Sequence, residues 1–154
     1  MGLLLPESAV RAAFLTAPLC LPGWVFAAQG AVATSEPNAT IAGLSALKDG
    51  GNAVDAAIAA SFALAVTLPA AGNLGGGGFL LYRDAEGNAW FLDHREIAPA
   101  NAARDMYLDE KGIPIPLASR MGWRAAGVPG TVIGLAEAHR RWGTLKWKDL
   151  LAPA

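Results

Sequence analysis

Ala70 to Arg95 reads AAGNLGGGGFLLYRDAEGNAWFLDHR, and the rest of the chain is organised around it. Four glycines, Gly75 to Gly78, run into the apolar segment Phe79 to Tyr82. Asp84-Ala85-Glu86-Gly87-Asn88 has the composition of a turn, and Ala89 to Leu92 reads as a return strand. The stretch predicts a glycine loop, a β-hairpin, and a charged cluster, Asp93-His94-Arg95-Glu96, where the second strand stops. Phe79-Leu80-Leu81-Tyr82 is continuously apolar, as expected of a strand covered on both faces. A rigid strand fixes a side chain at its end while the loop leaves it accessible, so strand ends are common places for a binding residue. Arg95 is the candidate, because a guanidinium offers a planar fork of donors that matches a carboxylate. On spacing alone, a structural ion pair with Asp93 or Glu96 competes with that reading.

Upstream, two helices are expected. Ser35 is placed to cap the first, Pro37 falls where a missing N–H costs nothing, and Ile41, Leu44 and Leu47 form one apolar stripe. Gly50 and Gly51 stop it. Asn52 caps the second helix, with Asp55 three positions on in a capping-box arrangement. Ala56 to Ala71 carries no charge. It is short, rich in alanine and ended by Pro69, which favours a core helix over a membrane span. The sequon Asn38-Ala39-Thr40 lies in a helix start and is read as chance.

Downstream, Ala102 to Met106 is a short helical turn, Asp109 to Gly112 a surface turn, and Ile113 to Pro116 extended. Gly127-Val128-Pro129-Gly130 is a second tight element. A helix follows from Thr131, with Val132, Leu135, Ala136 and His139 on one side and Gly143 ending it. A last short helix contains Trp147, Leu150 and Leu151. The order helix, helix, strand, strand, helix, helix suggests helices layered on a sheet.

Composition excludes several function classes. Of 154 residues, 53% are hydrophobic and 16% charged, and the net charge is −1, which gives no electrostatic case for nucleic acid. With the single cysteine Cys20 there is no internal disulfide and no cysteine metal site. His94 and His139 are isolated from other ligands; His94 is expected to be solvated and His139 to lie on a helix surface. The glycine run is not a phosphate cradle, since no Lys-Ser/Thr follows it and a strand comes where a helix should. No serine or cysteine has the setting of an activated nucleophile. Residues 1–27 read as a signal peptide, with an uncharged run from Ala12 to Ala28 and a cleavage position after Ala27. That predicts a periplasmic or secreted protein.

Six blocks in order resemble the γ-glutamyltransferase (γ-glutamyltranspeptidase) family of bacterial type: Ser35 to Thr40, Gly50 to Ala57, Gly72 to Phe79, Arg95 to Pro99, Arg104 to Leu108, and Gly127 to Val132. The resemblance implies an α+β fold, part of the αββα sandwich of N-terminal-nucleophile hydrolases, incomplete in this chain. It implies a precursor that cuts itself into a large and a small subunit. The new N-terminal threonine of the small subunit would attack the γ-glutamyl amide of glutathione or another γ-glutamyl compound, then pass the acyl group to water, an amino acid or a peptide. No metal or organic cofactor is implied. Residues 28–154 would be the front of the large subunit, with the rest of that subunit and the small subunit as partners. Arg95 matches the arginine that binds the glutamyl α-carboxylate, and Glu96 is its expected orienter. The glycine run would be a close-packed approach to the first strand. No catalytic residue is expected in this chain, which alone would be inactive and expose apolar surface. Two alternatives are a relative acting on another amide, such as a cephalosporin acylase, and a small non-enzymatic membrane-associated protein using Met1 to Ala28 and Ala56 to Ala71 as spans.

Overall fold

The computed structural model describes residues 30–154; the signal-peptide reading of 1–27 and Cys20 lie outside the described residues. Helix α1 spans Pro37–Lys48 and helix α2 spans Ala53–Thr67. The α1 cap is Glu36 rather than Ser35: Glu36 is extended and its carboxylate accepts the Ala39 N–H at 2.9 Å. Thr34 Oγ1 steadies this turn by donating to the Glu36 carbonyl at 2.6 Å. Asn52 caps α2 as expected. Its Oδ1 accepts from Val54 N at 2.8 Å and Asp55 N at 3.1 Å, while Asp55 Oδ2 accepts from Asn52 N at 2.9 Å.

The stripe read on α1 is not the buried one. Ala39, Ala42, Gly43 and Ala46 are buried, while Ile41 is 58% exposed and Leu44 and Leu47 are half-buried. Facing them in the core are the alanines of α2, among them Ala56, Ala59 and Ala63. A methyl group on Gly43 would lie 3.1 Å from the Ala56 carbonyl oxygen, so the helices approach backbone to backbone. Side-chain size, not hydrophobicity, selects the face.

α2 is a core helix. Val54, Asp55, Ala56, Ile58, Ala59, Ala60, Phe62 and Ala63 are buried, and it ends at Thr67, just before Leu68-Pro69. Its 15 residues span roughly 22 Å, short of the ~30 Å hydrocarbon layer. Among the described residues no helix is long and apolar enough to cross a membrane, which removes Ala56 to Ala71 as a span.

Strands β1 (Phe79–Arg83) and β2 (Ala89–Asp93) pair antiparallel, with Leu81 opposite Phe91 and Tyr82 opposite Trp90. Asp84 closes the turn by accepting the Asn88 N–H at 2.8 Å, and Gly87 takes the left-handed φ of 92° that favours glycine. Leu80, Tyr82 and Leu92 pack on the helical core. The other face is open: Phe79, Leu81 and Phe91 are 58%, 77% and 64% exposed. The expectation of two covered faces therefore holds for one face only, because the described helices all lie on one side of the hairpin.

Residues 97–126 are irregular, held by an Ile97–Val128 bridge, a Leu108–Pro114 bridge and a 3-10 turn at Trp123–Ala125. Helix α3 covers Thr131–Trp142 and helix α4 covers Trp147–Leu151. The buried face of α3 is Thr131, Gly134, Leu135 and Ala138, one position back from the face read in the sequence. His139 is half-buried rather than a surface residue; its Nε2 lies 2.7 Å from the Leu145 carbonyl oxygen and its ring meets the Trp147 ring. Val54, Ile58, Phe62, Leu135 and Leu150 form the centre of the core.

Candidate carboxylate-binding site

The site begins where β2 ends. The hairpin ladder runs one step beyond the strands: Gly78 N donates to the His94 carbonyl at 3.3 Å and His94 N to the Gly78 carbonyl at 3.1 Å. On its other side the segment pairs with the tight element before α3, with Ile97 N to Val128 O at 3.3 Å and Val128 N to Ile97 O at 2.9 Å. The glycine run and α3 are tied directly. The Gly76 carbonyl accepts from Gly130 N at 2.7 Å and Thr131 N at 3.0 Å, and Asn73 Oδ1 accepts from Thr131 Oγ1 at 2.5 Å and Gly76 N at 3.0 Å.

Glycines make this crossing possible. A methyl group on Gly77 would lie 2.7 Å from Arg95 Cα, and one on Gly127 would lie 3.0 Å from Glu96 Cβ. The glycine run is thus the close-packed approach to β1 that its residue types suggest. Backbone from the run and from the 127–130 segment encloses His94, Arg95 and Glu96, so the Arg95 Cα is fixed even though its side chain is exposed.

Arg95 forms neither of the ion pairs considered for it. Among the described residues the ion pairs are those of Glu137 with Arg140 and Arg141. Asp93 instead accepts the Arg95 backbone N–H at 3.0 Å, which orients the main chain and leaves the guanidinium uncommitted. Glu96 makes no hydrogen bond to Arg95; its stem lies along Gly127. An exposed guanidinium on a closely packed backbone can hold a carboxylate bidentately, a contact worth about 1.5–3 kcal/mol.

His94 is not solvated as its sequence setting suggested. It is half-buried, its ring lies against Gly78 and Gly134, and its Nδ1 is buried with no hydrogen-bond partner among the described residues. The signal for this seat was Gly134 itself, a glycine inside an otherwise good helix, where it costs about 1 kcal/mol against alanine. Among the described residues no three side chains of metal-binding type come together. A cavity of about 1000 Å³ lies between residues 30–34 and the α1–α2 pair, away from Arg95, with Lys48 as its one charged lining residue.

The chain matches known proteins over most of its length. The gamma-glutamyltranspeptidase family model matches residues 39–154. The glutathione hydrolase proenzyme of Pseudomonas aeruginosa is 56% identical over 126 residues, covering 81% of this chain and 22% of that one. That of Escherichia coli K12 is 51% identical over 130 residues, covering 84% and 22%. The solved gamma-glutamyltranspeptidase from Pseudomonas nitroreducens, complexed with L-DON, superposes with a TM-score of 0.77 at 56% identity, over 80% of this chain and 37% of that one. The chain thus spans about a fifth of the length of these curated relatives. Its helices and hairpin are part of the α+β architecture of N-terminal-nucleophile hydrolases. With the family model matching 116 consecutive positions and half the residues shared with these enzymes, the chain belongs to the gamma-glutamyltranspeptidase family.

Proposed function

We propose that this chain contributes the carboxylate clamp of an enzyme that takes the γ-glutamyl group from glutathione or another γ-glutamyl compound and passes it to water, an amino acid or a peptide. The observation that carries the proposal is Arg95: an exposed guanidinium with no ion-pair partner among the described residues, on a backbone packed from both sides. In this reading Arg95 binds the α-carboxylate of the γ-glutamyl group; the orienting role proposed for Glu96 requires its carboxylate to turn from Gly127 toward Arg95 when substrate binds. The attacking threonine belongs to a small subunit, and no residue of this chain attacks the substrate. The names of the relatives, glutathione hydrolase proenzymes, support both the substrate class and a processed precursor.

The rest of the large subunit and the small subunit are the proposed partners, and they cover the open hairpin face at Phe79, Leu81 and Phe91. Residues 1–27 are proposed to direct export to the periplasm or beyond the cell. Mass measurement of the mature N-terminus tests this: a chain starting near Ala28 supports export, and a retained Met1 overturns it.

The decisive assay is made on the full-length enzyme carrying these residues, or on residues 30–154 exchanged into the Pseudomonas aeruginosa relative. Arg95→Ala is expected to raise KM for glutathione about ten- to hundredfold, the equivalent of losing one charge-assisted contact. Unchanged KM would overturn the assignment. A preference for an amide donor with no α-carboxylate would favour the acylase-like alternative.

A further inference from the structure

Three glycines at the site are unexplained by backbone conformation. The described glycines with left-handed φ are Gly50, Gly87, Gly112 and Gly122. Gly77, Gly130 and Gly134 are not among them, so a left-handed backbone is not what calls for glycine there. What each position requires is the absence of a side chain.

The occupants of the vacated space are consecutive residues. At Gly77 they are Arg95 Cα at 2.7 Å and Glu96 N at 2.6 Å from where a methyl group would sit. At Gly130 they are the His94 carbonyl and, at 2.9 Å, the Arg95 carbonyl oxygen. At Gly134 they are His94 Cβ and Cγ, with Nδ1 at 2.8 Å. Gly134 is buried as the fourth residue of α3, where glycine weakens the helix relative to alanine. The seat also leaves His94 Nδ1 buried and unpartnered among the described residues, a state most buried polar atoms avoid. Two local losses are thus accepted to let α3 lie directly on the residue before Arg95.

We infer that Gly134 is a positioning residue for Arg95: by leaving room for the His94 side chain, it sets the point from which the guanidinium reaches a substrate carboxylate. The inference rests on the reading of Arg95 given above and assigns the element that governs its reach. A side chain at position 134 pushes His94 outward. Arg95, next in the chain and enclosed by Gly77 and Gly130, must move with it. A shift of about 1 Å at such a contact is enough to weaken binding strongly.

Steady-state kinetics of the full-length enzyme with γ-glutamyl-4-nitroanilide test this. Gly134→Ala is expected to raise KM about tenfold with kcat nearly unchanged, because the lost contact serves donor binding. In an Arg95→Ala background the same substitution should add nothing. The double variant His94→Gly with Gly134→Ala, which empties the seat, should recover much of the affinity. An unchanged KM in Gly134→Ala, or an equal rise with and without Arg95, would overturn the inference while leaving Arg95 as the clamp. If Arg95→Ala itself leaves KM unchanged, the clamp reading fails and this inference with it. Should Gly134→Ala fail to fold alone, the double variant is compared with His94→Gly: KM near the wild-type value in both supports displacement of the His94 side chain as the cause, and a KM raised in the double variant alone overturns it.

Discussion

Asp55 and Thr144 are 89 positions apart in the sequence, and the Thr144 hydroxyl donates to Asp55 Oδ2 at 2.6 Å. Asp55 is fully buried and has no cationic partner among the described residues. Its charge is met by hydrogen bonds alone: the Thr144 hydroxyl and the backbone N–H groups of Asn52, Thr144 and Leu145. One carboxylate therefore caps α2 and ties it to the α3–α4 connection. Asn52 reinforces the junction from the other side, donating through Nδ2 to the Trp142 carbonyl at 2.6 Å.

Burial pushes the Asp55 carboxyl up, but the Thr144 hydroxyl and the N–H donors outweigh it and hold the group below its ordinary value of 3.8. The folded state thus binds its proton less readily than the unfolded chain. Stability from this group is fully present above that ordinary value and is lost as pH falls through it toward the folded value. Asp55→Asn should cost about 2–3 kcal/mol at neutral pH, since the retained N–H donors lose a charged acceptor. Urea unfolding of both proteins at pH 7 and pH 3 measures this. The wild type should weaken on acidification and the variant should weaken less; parallel losses would remove Asp55 as the source.

The α1–α2 contact yields a prediction that separates size from hydrophobicity. Ala42→Leu adds volume where backbones nearly touch and should cost about 1–3 kcal/mol. Ile41→Ala removes a larger apolar group from an exposed position and should change stability by less than about 0.5 kcal/mol. Thermal melts of the two variants decide it, and the reverse ranking would mean that Ile41 lies on the packed face.

The open hairpin face has a measurable consequence for the isolated chain. Phe79 and Phe91 stack at 5.7 Å on the exposed side, beside Leu81. Such a patch favours self-association and binding of hydrophobic dyes. Leu81→Lys with Phe91→Lys should lower dye fluorescence and raise the soluble fraction of the 154-residue chain. In the full-length enzyme the same pair should impair assembly, because in the proposed architecture this face is covered. Lowered dye binding with normal assembly would place the covering layer elsewhere.

Much of this was legible in the sequence because it is local. The Asn52–Asp55 capping box, the turn at Asp84 to Asn88, the stop at Gly143 and the end of β2 just before Arg95 each depend on neighbours within a few positions. What was missed depends on distant partners. Ile41 looked buried because periodicity weighs hydrophobicity and is blind to the approach of Ala56. His94 looked solvated because nothing near it announces that Gly134, forty positions on, vacates its seat. The face of α3 was misplaced by one residue for the same reason, since Thr131 and Gly134 are buried by the glycine run and His94. Glu36 took the cap from Ser35 through a longer reach that residue preferences rank low.

The role of Arg95 can be separated from charge alone. Lysine keeps the positive charge but presents a point donor in place of a planar fork, so it cannot reproduce a bidentate carboxylate contact. Arg95→Lys should therefore fall between wild type and Arg95→Ala, with KM for a γ-glutamyl donor raised about fivefold or more and kcat less affected. A second donor isolates the group recognised. A butyryl anilide keeps the acyl carbon chain without the α-amino and α-carboxylate groups, so wild type and Arg95→Ala should use it equally poorly. If Arg95→Ala weakened the two donors by the same factor, Arg95 would be acting on the acyl chain or on the fold. Its exposed guanidinium, unpaired among the described residues, would then need another ligand. Loss confined to the carboxylate-bearing donor ties the geometry at the end of β2 to the chemistry proposed for it.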